Sequence, residues 1–411
     1  MGARVLFVVP NVPWPLATGG HLRDWQLLNL LARRGLAPAV LYFGAGEGAL
    51  LAADSPVAAL ASSVTFGGAR VERPDNGPLG IVARKLSYLA GTAATHPFAY
   101  QYDAIDAVET IVREAERVGA ETVVVRGFWC HGFARLRAAG LRVIANCPDA
   151  NTRLARQMVR SVGGIAARLG PLCNLAQVRR LERRYLGSAD EIWVPTASER
   201  DEIAALAGPV RTLVVPNLID VTAVPDLTAV VPDADTLLFV ANFAYAPNAN
   251  AARRLVERIL PAVRRARPDA RLYLVGGGMT PSLRAAVASS AGAEAPGFVP
   301  DLEPWYRRAA VVVLPVREGA GMLFKTIEAL AFGKATVGFR EAYRGIDAHS
   351  ESAFLTVPTD LAMAQSVVLL LRDASARRML GTGARALATD RLSFEHGMGV
   401  LDASLLAAPS L

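Results

Sequence analysis

The sequence predicts an α/β fold of two doubly wound parallel sheets. Short runs of branched apolar residues alternate with Arg- and Leu-rich amphipathic stretches, the pattern of parallel βα units. A proline-punctuated segment, "VVPNLIDVTAVPDLTAVVPDAD" (214–235), interrupts that alternation near its middle, and the alternation then restarts. At 411 residues the chain is long enough for two domains, each with its own core.

In the first half, "RVLFVV" (4–9), "APAVLYFG" (37–44), "ETVVVRG" (121–127) and "LRVIANC" (141–147) read as strands. The stretch "LRDWQLLNLLARRG" (22–35) reads as a helix between the first two. "EIWVPTASERDEIAAL" (191–206) repeats the strand–helix unit, with Thr196 or Ser198 as the N-cap. After the break come "TLLFVAN" (236–242), a helix from about 249 to 266, "ARLYLVGGG" (270–278), another helix, "APGFVP" (295–300), "AAVVVLPV" (309–316) and "ATVGF" (335–339). This predicts two Rossmann-like domains, 1–222 and 223–385, hinged near 220–232. A helical tail, 386–411, is expected to cross back onto the first. In open α/β sheets ligands sit at the carboxyl ends of the strands, so function is sought in the residues that follow each strand.

Composition excludes several classes. Hydrophobic residues at 52 % and charged residues at 20 % are globular values. Three scattered cysteines (Cys130, Cys147, Cys173) form neither a disulfide framework nor a zinc site, and they suit a reducing cytosol. The amino terminus lacks a signal-peptide core, and no apolar run is long enough to span a bilayer, so a cytoplasmic protein is expected. The net charge is +7, yet only three residues are lysine, so 41 of the 44 cations are arginine. That skew fits a GC-rich genome better than selection for a polyanion, and no nucleic-acid-reading module is present. The basic residues read as spread along the chain. One stretch, "RLARQMVRSVGGIAARL" (153–169), is basic and partly amphipathic: either a solvated helix or a weak peripheral membrane contact.

The most informative segment is "GAGMLFKTIEALAFGKA" (319–335), which follows an apolar strand. Gly319 and Gly321 permit close backbone approach, and a helix is expected to open near Met322 without a side-chain cap. Its free N–H groups suit an anion, with Lys325 one turn in to neutralise further charge. Glu328 lies six residues past Met322, roughly 9 Å along the axis at about 1.5 Å per residue, and leans back toward the helix start. Phosphate on the N–H groups and ribose hydroxyls on Glu328 would hold a nucleoside diphosphate. The bland alternative is a tight Gly-X-Gly turn and an ordinary Lys325–Glu328 surface pair. "LVGGGMTPS" is not a dinucleotide fingerprint, because Gly276–Gly278 do not make Gly-X-Gly-X-X-Gly before a helix.

At these residues the chain resembles the GT-B glycosyltransferases, particularly the retaining family 4. "VVPNVPWPLATGGHLRDWQLLNLLARRG" resembles that family's first strand, glycine loop and helix. "ADEIWVPTASERDEI…VVPNLID" resembles the end of its first domain, and "LLFVANFAYAPNANAARRLVERILPAVRRARPDARLYLVGGG" the first βαβ of its second. "GFVPDLEPWYRRAAVVVLPV" resembles the loop beside the base. The resemblance runs from about 4 to 346 and is poor over 44–120, where the acceptor normally binds.

The resemblance implies two domains facing across a cleft and retaining transfer of a sugar from a nucleoside diphosphate sugar to a hydroxyl or amine of a natural product or glycan. No metal or other cofactor is implied. Glu328 would take the ribose hydroxyls, and the backbone of Gly321, Met322 and Leu323, with Lys325, the diphosphate. Phe298 and Val299 would lie along the base, and Gly19 and Gly20 would close on the donor. Front-face attack would let the leaving diphosphate take the acceptor's proton, so catalysis would rest on positioning and charge stabilisation. Lys325 is one catalytic candidate. His131, in "RGFWCHGF", is the other, and a packed histidine is its alternative reading.

Two departures stand out. The first Glu of the family's Glu-X7-Glu pattern is Ala320 here, with Glu318 the nearest carboxylate. The loop "ANFAYAPNAN" carries no cation, leaving Lys325, Arg344 or Arg317 to supply charge and Asn242 or Asn248 to offer amides, a turn role for Asn248 being the alternative. Asp24 and Asp149 read as turn, cap or surface residues. A nucleotide-sugar epimerase and a non-catalytic partner subunit are the rival functions.

Overall fold

The computed structural model describes residues 5–12, 14, 19–36, 38–44, 56–69, 107–147, 151–161, 163–319, 321–346 and 352–405. Ala320 and Asp149 lie outside them. The chain divides into two compact units, Met1–Val215 with Met398–Leu411, and Pro216–Gly397.

The first unit is built on a seven-stranded sheet in the order β3-β2-β1-β4-β5-β6-β7. Its strands are β1 Val5–Val9, β2 Ala39–Gly44, β3 Ser63–Ala69, β4 Thr122–Arg126, β5 Arg142–Asn146, β6 Glu191–Val194 and β7 Arg211–Val214. All neighbouring pairs are parallel, with Leu6 opposite Ala39 on one side of β1 and Val123 on the other. Residues in β1 and β4 are buried throughout, as expected where helices cover both faces of a parallel sheet. The order reverses between β1 and β4, so the strand ends there open a ligand crevice.

The second unit repeats the plan with six parallel strands in the order β10-β9-β8-β11-β12-β13. These are β8 Thr236–Val240, β9 Arg271–Val275, β10 Ala293–Gly297, β11 Val311–Leu314, β12 Thr336–Gly338 and β13 Leu355–Thr356. Its reversal falls between β8 and β11. One core spans the sheet and its helices, including Phe239, Leu255, Ile259, Tyr306, Leu314 and Leu330, all fully buried.

β3, β7 and β13 are strands that the sequence reading passes over. Each is an edge or near-edge element: β3 is half-exposed and contains two glycines, β7 has four residues and β13 two. The helix expected from about 249 starts at Ala246, because Pro247 suits a first helical turn. It runs to Ala266 through a π turn at Leu255–Ile259. Thr196 caps the helix Ala197–Ala207, accepting from the Glu199 N–H at 3.2 Å.

The units divide at Val215/Pro216 rather than 222/223. Val215 N–H still bonds to Val194 O in the first sheet, whereas Ile219 N–H bonds to Leu392 O and Leu227 N–H to Phe332 O in the second unit. The helix Ala374–Arg391 stays with the second unit, and the last helix, Phe394–Leu405, passes from one unit's residues into the other's. Its end is fixed within the first unit by Arg142 donating to Ser404 O (2.8 Å), Trp193 Nε1 to Ser404 Oγ (3.2 Å) and Arg211 to Ala403 O (2.6 Å).

Candidate functional site

The site in the second unit forms where the chain leaves β11 and enters the helix Phe324–Ala331. The helix begins two residues later than Met322, and its N-cap, Leu323, makes no side-chain capping bond. Gly319 (φ 105°) and Gly321 (φ 69°) hold the approach in conformations that side chains disfavour. Arg344 Nη1 bonds to Gly319 O at 2.8 Å and Asn217 Nδ2 to Met322 O at 3.0 Å. Thr326 Oγ1 bonds to Ala342 O at 2.7 Å. Arg344 and Asn217 therefore fix two carbonyls of the turn, and Thr326 ties the helix's first turn to the segment after β12. Ile327, Leu330 and Ala331 bury the opposite face.

Lys325 and Glu328 are not paired with each other. Lys325 donates to Asn248 Oδ1, with Nζ 5.0 Å from the Phe239 ring centroid. Burial of its ammonium among neutral groups pushes it down to about 7. Asn248 in turn donates to Asn242 O at 2.7 Å, and the Asn242 side chain accepts from Ala244 N–H at 3.0 Å. Asn248 thus links the lysine to the loop after β8 instead of making only a turn. Glu328 Oε2 accepts from Tyr306 OH at 2.9 Å, and burial pushes its carboxyl up to about 7 against that bond. Tyr306 is itself fully buried and stacks on Phe332, with ring centroids 4.4 Å apart. Near neutral pH a cation and a carboxylate are thus each poised to gain or lose a proton, without neutralising one another.

The loops after β8, β9 and β10 are joined by main-chain bonds: Ala241 N–H to Val275 O, Phe243 N–H to Gly277 O and Gly276 N–H to Gly297 O, all 2.8–2.9 Å. Phe298 stands beyond them with 75 % of its surface exposed, and Val299 packs part-buried on the core. A free aromatic face beside a glycine floor suits a flat ring. Arg317 is committed elsewhere, donating to Pro358 O at 2.5 Å and lying 3.7 Å from the Phe339 ring centroid. Glu318 accepts from Asn250 at 3.0 Å.

Residues 234–373 match the family Glycosyl transferases group 1. That match lies within the second unit. No curated protein sequence matches the chain. Among solved structures, it is similar to sucrose-phosphate synthase from Thermosynechococcus elongatus (18 % identity, 98 % of this chain and 99 % of that one, TM-score 0.70). Anabaena HepE in complex with UDP and glucose is 14 % identical over 98 % of this chain and 99 % of that one, TM-score 0.67. A glycosyltransferase from Rickettsia africae is 10 % identical over 99 % of both, TM-score 0.64. These likenesses establish the GT-B fold.

Asn242, Phe298, Val299 and residues 321–328 all fall within the matched segment 234–373. Gly19, Gly20 and His131 lie in the first unit. Gly19 and Gly20 open the helix Gly19–Arg33, and His131, half-buried, sits in the 3-10 turn Gly127–Gly132 after β4. Asp24 is neither turn, cap nor surface residue, which corrects the sequence reading. It is buried, 2.5 Å from Arg126 Nη2, with Asn146 Nδ2 at 3.5 Å. The guanidinium at the end of β4 needs a counter-charge, and the inner face of this helix supplies it.

Sequence reasoning missed Tyr306 and Asn217. Tyr306 lies in "EPWYRR", where an aromatic reads simply as core, and Asn217 lies in the proline-rich break. Replacing Tyr306 by phenylalanine is expected to weaken nucleotide binding about fivefold, the worth of roughly 1 kcal/mol for one hydrogen bond. Because that bond favours the Glu328 carboxylate, the same change should move the acid side of the binding profile upward in pH. Calorimetric titration with UDP at several pH values checks both.

Proposed function

We propose that this chain transfers a sugar, with retention, from a nucleoside diphosphate sugar to a hydroxyl or amine of a natural product or glycan acceptor. The observation that carries the reading is the uncapped start of the helix Phe324–Ala331, with Lys325 and Glu328 part-buried beside it and held apart on separate partners. The N–H groups from Gly321 to Leu323 and the Lys325 ammonium take the diphosphate, Glu328 the ribose hydroxyls, and Phe298 with Val299 the base. Asn242 positions the loop that carries Asn248. Gly19, Gly20 and His131 act from the first unit on the donor and the acceptor. UDP is the first donor nucleotide to test, since HepE, of the same fold, is seen with UDP and with UDP-glucose.

The bond between the anomeric carbon and the diphosphate oxygen breaks as the acceptor oxygen or nitrogen bonds that carbon on the same face. The acceptor's proton passes to the leaving diphosphate, and no side-chain nucleophile takes part. Lys325 and the helix start stabilise the charge that grows on the leaving group. No metal is needed in this scheme.

Calorimetry with UDP, GDP, ADP and TDP, alongside Glu328→Ala, tests the donor site. Binding of one nucleotide, lost in the variant, is expected; binding of none overturns the reading and favours a non-catalytic partner subunit. Sugar transfer that requires an acceptor separates a transferase from an epimerase.

The pH dependence has a definite sign. Lys325, depressed to about 7, loses its proton as pH rises through that value, so diphosphate binding weakens on the alkaline side. Glu328, raised to about 7, gains a proton as pH falls through it, so ribose binding weakens on the acid side. UDP affinity is expected to peak close to pH 7, with Lys325→Met removing the alkaline limb and Glu328→Gln the acid limb.

A further inference from the structure

Formal charge is not spread evenly over the elements. Residues 151–185 hold eight arginines and no lysine against one carboxylate, Glu182, a net of +7 that equals the charge of the whole chain. This corrects the reading of a dispersed basic balance. The segment folds as two packed helices, Asn151–Ser161 and Ile165–Tyr185. Glu182 is spent inside the pair: it is 1 % exposed and accepts from Asn151 N–H at 3.1 Å, Thr152 N–H at 3.2 Å and the Thr152 hydroxyl. The only carboxylate of the segment is therefore turned away from its outer face. Glu202 of the adjoining helix engages Arg153 at 2.8 Å and Arg156 at 3.2 Å. Arg160, Arg179, Arg180 and Arg183 are exposed and have no hydrogen-bond or ion-pair partner among the described residues.

The outer face is also apolar at one end. On the longer helix, positions 168, 169, 172, 176, 179, 180 and 183 recur with helical spacing on one side, and all seven are exposed. Leu169 (60 % exposed) and Leu172 (45 %) occupy the half nearest the turn between the helices, beside Arg168, and Arg179, Arg180 and Arg183 occupy the other half. Met158, 50 % exposed, adds a third apolar side chain near the same turn. Large apolar groups gain nothing from water, and Arg179, Arg180 and Arg183 without counter-charges repel one another, so both features call for one partner with an apolar interior and an anionic surface.

We propose that the helix pair 151–185 docks the protein on an anionic lipid surface. Leu169, Leu172 and Met158 enter the headgroup–acyl boundary, and Arg168, Arg179, Arg180 and Arg183 meet lipid phosphates. The contact is peripheral: no helix among the described residues is long and apolar enough to cross a membrane. It uses none of the residues assigned to the donor site, all of which lie outside 151–185.

The test is co-sedimentation of the full chain with vesicles of phosphatidylcholine alone or mixed equally with phosphatidylglycerol, at two salt concentrations. Two variants are compared, Arg179→Glu/Arg180→Glu/Arg183→Glu and Leu169→Ser/Leu172→Ser, each checked by its melting temperature and by UDP binding. The expected result is binding to the anionic vesicles at least tenfold above the neutral ones, weakened by salt. The charge variant should lose about a hundredfold, since each basic residue near such a surface contributes about fivefold, and the serine variant about tenfold. Equal binding to both vesicle types, or none, overturns the proposal and leaves an acidic macromolecule as the partner of this face. Undiminished binding by the serine variant also overturns it, because adsorption by charge alone needs no insertion. Loss of UDP binding alone, with vesicle binding intact, would count against the donor site and leave the docking proposal standing.

Discussion

Lys325→Met and Glu328→Gln are each expected to abolish most sugar transfer while leaving the protein as stable as before, or more so. A carboxylate that accepts two ribose hydroxyls makes two charge-assisted hydrogen bonds, each worth about 1.5–3 kcal/mol. Their replacement by weaker amide contacts should lower kcat/KM roughly a hundredfold, since 1.4 kcal/mol is a factor of ten. Removing a preorganised cation from the leaving group costs about 100- to 1000-fold in kcat, as for other donors aimed at developing charge. The stability readout separates these losses from misfolding. The Lys325 ammonium is depressed from its ordinary value by burial, so folding disfavours its charged form at every pH below its unfolded value. A neutral methionine removes that penalty and can pack on Phe239, whose ring now lies under the ammonium. Glu328 is shifted upward by burial, so folding disfavours its carboxylate at pH above its unfolded value, and glutamine keeps its shape without the charge. Unchanged or raised melting temperatures with lost activity fit the proposed roles. Lowered melting temperatures in both variants would instead assign these residues to the structure of the turn.

Much of this site was legible because it is local in sequence. The bare helix start, the two glycines ahead of it and the spacing of Lys325 and Glu328 all lie within ten residues, and helical geometry relates them without tertiary information. What the sequence conceals are the partners. Tyr306 stands 22 residues before Glu328 and Asn248 stands 77 before Lys325, and only the sheet order brings them together. The same limit applies to Asp24, whose partner Arg126 is 102 residues away across β1 and β4. A carboxylate in an amphipathic stretch reads as surface until the strand beside it is seen to end in a buried guanidinium. The edge strands β3, β7 and β13 were hidden for a different reason. Short, half-exposed strands lack the continuous apolar run that marks a central one. The charge of residues 151–185, by contrast, was fully present in the sequence. It emerges when arginines are counted by helix and the lone carboxylate is found facing inward.

Gly276→Ala is expected to destabilise the second unit by about 3–5 kcal/mol, lowering its melting temperature by roughly 10 °C for a unit of this size. Gly276 follows β9 at φ 136°, a conformation in which a side chain costs of order 1–3 kcal/mol. A Cβ there would lie 1.9 Å from Ala241 O and 2.9 Å from its carbonyl carbon. The obstacle is backbone, so no rotamer change relieves it. The loops after β8 and β9 must separate, straining the bonds of Ala241 N–H to Val275 O and Phe243 N–H to Gly277 O. Those loops carry Asn242 and lead to Asn248, so the displacement reaches Lys325 through its amide partner, and nucleotide affinity should fall along with stability. Gly35→Ala is the control. It too has a positive φ, 73°, but nothing lies within 4 Å of an added Cβ, so it bears the conformational cost alone. Thermal melts of the two variants with and without UDP decide the matter. A Gly276→Ala protein no less stable than Gly35→Ala would mean that these glycines are turn punctuation. A larger loss, with weakened nucleotide binding, would make the run "GGG" the place where two loops approach closely enough to seat the donor.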